Sequence, residues 1–223
     1  MTLTLTDYDV IIEMVENQIN EVIIESERVF RYVVENLWLQ VNGQTGQLIL
    51  AENDKELTFS KNAELIMNPF AINLNDKKIL TKLYAEMLEL AKEDFFEETG
   101  NLNAAIVNYL DVLINRLPYD LNFASELDVI GLCKLYKVEI DGDNDSIVSR
   151  LIDYLRAMHQ IVHVNVFFFV NLKMYLTREE LLSIYEFANY EKIHIFIISG
   201  AQKEKIIGEK SLIIDKDLCI IEA

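Results

Sequence analysis

The most constraining stretch of this chain is VHVNVFFFV, residues 162–170, whose middle is apolar on both faces. Such a run suits a strand inside a sheet covered on both sides, the usual setting of a parallel sheet. The residues after it agree. Thr177-Arg178-Glu179-Glu180 has the capping-box pattern, a Thr three residues ahead of a Glu that can reach back to it. The segment REELLSIYEFANY then reads as a helix and KIHIFIIS as a second strand. Strand, helix, strand is a βαβ unit, so the two strands are expected to run parallel. SLIID and DLCIIE close the chain as one or two edge strands.

Three short strands open the chain: TLTL, VIIEMV and NEVIIE, all alternating or apolar and rich in β-branched residues. VENQ is expected to join the second and third as a hairpin turn. Ser26 heads a helix to about Trp38; QLILA and NAELIMNPF read as further strands, the latter stopped by Pro69. Residues 75–98 have a different period. Ile79, Leu83, Met87 and Leu90 recur at three and four residues, predicting one long helix that ends near Gly100 with Phe95 and Phe96 in its last turns. NAAIVNYLDVLINRL gives a second helix and ASELDVIGLCKLY a third, capped by Ser125. Helices in succession between β-rich segments predict an α/β body with a helical insertion.

The formal net charge of −17 weighs against a freely exposed nucleic-acid or anionic-membrane binder, because such a field repels polyanions at long range. The charge is uneven. Residues 161–223 hold 7 basic and 9 acidic side chains, against 13 and 28 in the rest. Any basic surface is therefore expected in the last third. The two cysteines, Cys133 and Cys219, make no disulfide framework and fit a reducing compartment. MTLTLTDYDV carries no signal-peptide pattern, and the uncharged stretch 157–172, than which none is longer, is too short to span a bilayer. A cytoplasmic protein with no membrane span is expected.

Catalytic constellations are not evident. GAQKEKIIGEKS, residues 200–211, is the nearest approach to a phosphate-binding loop. Its glycines are eight apart, and Glu209, a carboxylate that would repel phosphate, stands between Gly208 and Lys210. It reads as a solvated charged loop. DGDNDSIVSR begins like a calcium loop but has Ser146 at the sixth position and Ile152 at the twelfth. It reads as a turn and helix cap, with Asp143 or Asp145 capping a helix to residue 160. His163 and His194 stand near the starts of two strands but lack a third ligand, and read as structural. Tyr84, Phe95, Phe96 and Tyr109 fall at helical spacing and read as core or subunit interface.

From Ala71 onward the order of features resembles a known family. INLNDKKILTKLYAEMLELAKE, then ELDVIGLCKLYKVEID, SIVSRLIDYLRAMHQI, VNVFFFVNLKMYLTREELLSIYEF and IHIFIISG follow one another, with LYKVEID and the junction Asn171-x-x-x-Tyr175-Leu176-Thr177 the most specific parts. Over residues 65–223 the chain resembles the ring-forming CRISPR-associated accessory proteins of type II-A systems, the "Csn-two" family. The resemblance implies an α/β head, P-loop-NTPase-like without the nucleotide motif, from residues 1–72 and 144–223, and an inserted helical leg from 73–143. It implies a non-enzyme: a homotetrameric ring that binds calcium and the ends of double-stranded DNA, without sequence preference, during spacer acquisition. Its partners would be the CRISPR integrase and the effector nuclease complex. The lysines expected on the inner surface are Lys134, Lys137, Lys173, Lys192, Lys203 and Lys205. Asp120, Glu126 and Asp128, in DLNFASELD, are the acids expected to hold calcium, although Asn122 and Ala124 interrupt the family's acidic spacing there. A degenerate P-loop-like nucleotide-binding protein and an acidic protein–protein adaptor are the two other readings.

Overall fold

The computed structural model describes residues 1–15, 17–142 and 146–222. Contacts divide the chain into two compact units, Met1–Leu74 with Gly142–Ala223, and Asn75–Asp141.

The first unit is a mixed α/β structure built on two sheets. Strands β1 (Thr2–Leu5), β2 (Val10–Glu13), β4 (Leu48–Glu52) and β5 (Lys55–Leu57) form an antiparallel sheet in the order β2-β1-β4-β5. The second sheet has six strands: β3 (Ile19–Ile24), β6 (Ala63–Ile66), β7 (Val166–Val170), β8 (His194–Ser199), β9 (Glu209–Ile214) and β10 (Ile220–Glu222), in the order β10-β9-β3-β8-β7-β6. All its pairs are parallel except β9 with β10.

Two readings of the sequence change here. VENQ makes no hairpin, since β2 pairs with β1 whereas β3 lies between β8 and β9 in the other sheet. Short apolar strands look alike whichever sheet they join. The one or two edge strands expected at the C-terminus resolve to one: β9 is flanked by β3 and β10, so β10 forms one edge of the sheet and β6 the other.

Side-chain alternation along β3 gives its faces different jobs. Val22 and Ile24 join a core with Val29, Val33 and Leu37 of α1 (Glu27–Val41), Leu3 and Leu50 of the antiparallel sheet, and Phe168 and Phe196. The rings of Phe168 and Phe196 lie 5.4 Å apart, a favourable tilted pair. Ser26 occupies the N-cap of α1 but its hydroxyl makes no capping bond. A single turn, α2 (Phe59–Asn62), leads into β6 and buries Phe59 against Phe168.

α6 (Ile147–Gln160) and α7 (Arg178–Glu191) are amphipathic, burying Leu151, Tyr154, Leu155 and Met158 in the first and Leu181, Ile184, Tyr185 and Ala188 in the second. Ser146 is the N-cap of α6; the expected caps Asp143 and Asp145 lie outside the described residues. The capping box of α7 is complete. Thr177 accepts from the Glu180 backbone N–H, and the Glu180 carboxylate accepts from the Thr177 N–H at 2.8 Å.

The second unit is helical: α3 (Lys77–Lys92), α4 (Phe96–Ile114) and α5 (Val129–Leu135). The single helix expected over 75–98 is two helices. The chain leaves helical geometry at Phe95 (φ −114°, ψ 28°), and Gly100 lies inside α4 instead of ending a helix. A glycine only taxes a helix interior, at about 1 kcal/mol, so it is a weak stop signal. α3 buries Ile79 and Tyr84, and the Tyr84 hydroxyl donates to the Val138 carbonyl at 2.9 Å. The Asn75 amide both donates to and accepts from the Ile140 backbone, closing the unit's ends together. Asp128, not Ser125, caps α5, accepting from the Gly131 N–H at 2.8 Å.

Thr177→Ala removes the cap of α7 and is expected to cost about 1 kcal/mol. The thermal midpoint should drop by roughly 2–4 °C. Thermal unfolding followed by circular dichroism checks this, and an unchanged midpoint would show the cap to be idle.

Candidate functional site

Glu21 stands in the middle of β3, in a strand where every residue is buried. Its face of the sheet is opposite that of Val22 and Ile24. A charge there needs a partner, because desolvating a lone carboxylate costs far more than the strand gains. The partner is Lys173, in the short 3-10 helix Leu172–Met174 that comes after β7. The Lys173 ammonium lies 2.9 Å from Glu21 Oε2 and 2.9 Å from Glu209 Oε2. The three side chains are exposed by only 3%, 1% and 0%.

The remaining lone pairs are occupied too. Ser199 donates to Glu21 Oε1 at 3.1 Å, and Ser211 donates to Glu21 Oε2 at 3.4 Å. The Tyr185 hydroxyl of α7 donates to Glu209 Oε1 at 2.6 Å, and the Ile206 N–H donates to Glu209 Oε2 at 2.7 Å. Burial, and then the Glu209 carboxylate, hold the Tyr185 hydroxyl well above the ordinary phenol range, so it stays a donor. The cluster joins β3, β8, β9, α7 and the segment after β7.

That segment is placed by backbone chemistry. Asn171 ends β7 in the left-handed region, φ 54°, a conformation that Asn tolerates better than most residues. Its N–H donates to the Ile198 carbonyl, and its Oδ1 accepts from the Gly200 N–H at 3.0 Å. Loop 200–208 is thus tied at its start through Gly200 and near its end through Ile206.

The expected phosphate-facing lysines fare differently. Lys203 and Lys205 are exposed on loop 200–208, and Lys192 is at the C-terminus of α7 with φ 57°. Lys134 and Lys137 are exposed in the second unit, within and just after α5. Lys173 must be corrected: it is enclosed between two carboxylates and presents no charge to solvent. Lys173 and Lys203 do line the same two small cavities, of about 160 and 150 Å³, beside the ends of β7 and β8. Arg178 borders the second of these, paired with Glu204 at 2.7 Å. The reading of 200–211 as a solvated charged loop also fails at Glu209, which is buried.

The acids expected to hold calcium are not gathered together within the chain. Asp128 is spent on its helix cap, Asp120 and Glu126 are exposed, and among the described residues no group of three or more His, Cys, Asp or Glu is gathered to hold a metal. Calcium needs six to eight oxygens. The histidines are scattered in role: His159 Nδ1 lies 3.2 Å from the Val164 carbonyl, His163 is exposed, and the His194 backbone N–H donates to Asn165.

Sequence reasoning singled out Glu209 and Lys173, each for another role, and missed Glu21, Tyr185, Ser199 and Ser211. The one available signal was Glu21, an acid inside the apolar run NEVIIE.

Three similarities bear on these observations. The family described as CRISPR-associated protein (Cas_Csn2) matches residues 40–218. CRISPR-associated protein Csn2 of Streptococcus agalactiae is 24% identical over 164 residues, 70% of each chain. Among solved structures, an inward-facing conformation of a putative metal-chelate type ABC transporter aligns over 96% of this chain and 75% of its own, with a TM-score of 0.44 and 8% identity, a likeness too loose to carry an argument.

Lys173→Met leaves two buried carboxylates facing one another and is expected to cost roughly 3–5 kcal/mol. Adding Glu21→Gln and Glu209→Gln should restore much of that loss. Urea unfolding of the single and triple variants measures both. A near-neutral Lys173→Met would contradict the enclosed triad.

Proposed function

The chain belongs to the CRISPR-associated Csn2 family, and on that premise we propose that it is a non-catalytic, self-assembling protein that holds double-stranded DNA ends during spacer acquisition. It works in the cytoplasm as a homotetrameric ring, alongside the CRISPR integrase and the effector nuclease complex. Residues 73–143 are its leg, and residues 1–72 with 144–223 its P-loop-NTPase-like head. No helix among the described residues is long and apolar enough to cross a membrane.

The observation that carries this reading is α4. It is 19 residues long, contains Leu102, Tyr109, Val112 and Leu113, and buries none of its residues. A helix draws most of its stability from packing an apolar face. Within one chain Ile106, Val107, Leu110 and Ile114 are only half-buried, while Leu102, Tyr109, Val112 and Leu113 stay exposed; other copies cover that exposed face.

Assembly also answers the charge problem. A chain of net charge −17 repels DNA as a free monomer. Repeating the exposed Lys203 and Lys205 around one hole sets them against the phosphates together, while most carboxylates lie elsewhere. Phosphate contacts carry no sequence information, so binding is indifferent to base sequence. Each contact releases counterions, so affinity falls with salt.

Calcium enters this reading only as an ion shared between copies, because Asp120, Glu126 and Asp128 of one chain do not form a site.

Light scattering should find a tetramer, and Val112→Asp with Leu113→Asp should yield monomers that lose at least tenfold in DNA affinity. A wild-type monomer would overturn the reading. Gel shifts should favour linear duplex over covalently closed circles of equal sequence, and Lys203→Glu with Lys205→Glu should abolish the difference. Equal capture of linear and closed DNA by the wild type would refute end loading. Chelation with EGTA is expected to leave the thermal midpoint of the monomeric variant unchanged; a fall of several degrees would reveal a calcium site within one chain.

A further inference from the structure

The first unit also leaves apolar side chains bare. Met67, Phe70, Met174 and Tyr175 are all exposed, and two of them meet: the rings of Phe70 and Tyr175 stand edge to face with centroids 5.6 Å apart. Phe70 is 57% exposed and Tyr175 44%, so the pair is no part of the core. Hydrogen-bonded backbone holds both rings out. Phe70 is the third residue of a turn begun by Asn68 and Pro69, residue types suited to its first two positions. The Phe70 N–H donates to Asn68 Oδ1 at 3.0 Å, and the Ala71 N–H donates to the Asn68 carbonyl at 3.1 Å. Tyr175 follows the 3-10 helix that carries Lys173, and its N–H donates to the Leu172 carbonyl at 3.0 Å. It stands two residues from the ammonium enclosed between Glu21 and Glu209.

Strands β6, β7 and β8 run parallel and side by side, so the segments 67–70, 171–175 and 200–203 leave the same end of the sheet. That carboxyl end is where open α/β sheets receive ligands. Lys203 is among these residues: it lines the same 160 Å³ cavity as Met174. Lys203 and Lys205 are exposed, and Glu204, the one carboxylate of loop 200–208, is paired with Arg178. Exposed rings beside cationic side chains are the two components of a single-strand nucleic-acid surface, the rings for base faces and the cations for phosphates.

We propose that Phe70 and Tyr175 form a stacking platform for an unpaired nucleotide at the end of a DNA duplex, with Lys203 meeting its phosphate. The inference rests on the DNA reading above and deepens it, by naming what sets an end apart from the rest of a duplex. Paired bases inside a helix hide their faces in the stack. An end that frays or carries an overhang offers a bare base face, and an exposed aromatic pair can cover it. Every base has such a face, so the platform adds no sequence preference.

Fluorescence anisotropy of the full-length protein tests this, with a labelled blunt duplex and the same duplex carrying a short thymidine overhang on either strand. An overhang should tighten binding about fivefold or more, the effect of one stacked base. Phe70→Ala with Tyr175→Ala should erase that gain and leave blunt-duplex affinity unchanged. Phe70→Tyr with Tyr175→Phe should keep the gain, whereas Phe70→Leu with Tyr175→Leu should lose it, which separates stacking from apolar cover. The replaced side chains are exposed, so thermal midpoints should stay within about 2 °C of the wild type. Wild-type protein that binds blunt and overhanging duplexes equally would overturn the platform and leave the DNA reading standing; wild-type protein that binds neither would overturn both. A double alanine variant that no longer assembles would mark the patch as a contact between copies, and that too would overturn the platform.

Discussion

An ammonium enclosed between two carboxylates ties together β3, β8, β9, α7 and the segment after β7. Glu21 brings in β3, Glu209 brings in β9 and the end of loop 200–208, and Lys173 brings in the segment leaving β7. Such a cluster contributes little net stability over well-packed hydrocarbon, since desolvation offsets most of its attraction. Its effect is on geometry. Three charges without water tolerate only the arrangement in which each meets the others, so the crossing from β7 toward β9 is fixed where apolar packing alone would allow sliding. Tyr185 extends this control to α7, and the Ile206 N–H extends it to the lysine-bearing loop. The surface lysines therefore stand on a loop whose two ends are set from inside.

Much of the fold is legible in the residues because local signals agree with one another. VFFFV, the Thr177–Glu180 box and HIFIIS each name a structure, and their order names the parallel pair. The failures have physical causes. Gly100 looks like a helix stop, but one glycine adds only a modest entropy cost inside a hydrogen-bonded helix, and the actual break at Phe95 carries no distinctive residue type. β2 turns back on the adjacent β1, but the partners of β3, strands β8 and β9, lie far away in sequence. Lys173 reads as a surface residue because lysines usually are, and nothing near it in sequence announces Glu21 or Glu209. Glu21 and Asn20 were the exceptions to heed: polar residues in a strand that has no exposed face.

The surface charge and the exposed apolar residues of α4 belong to one physical picture. In the proposed assembly, acidic side chains would hold copies apart, whereas Leu102, Tyr109, Val112 and Leu113 would draw them together. Both tendencies can be met at once only if contact is confined to defined faces, which favours a closed assembly over open-ended aggregation.

Strand β3 is synthesised early, yet its neighbours β8 and β9 come from the last part of the chain. At roughly 5–20 residues per second of translation, it waits on the order of ten to thirty-five seconds for them. The Asn75–Asp141 unit holds its own contacts and can settle during that interval. The central strand, with its buried acid still solvated, stays open until the C-terminal strands leave the ribosome. The α/β unit is therefore completed only late in synthesis: a polypeptide cut short before His194 lacks both flanks of β3 and leaves that strand's edges unpaired.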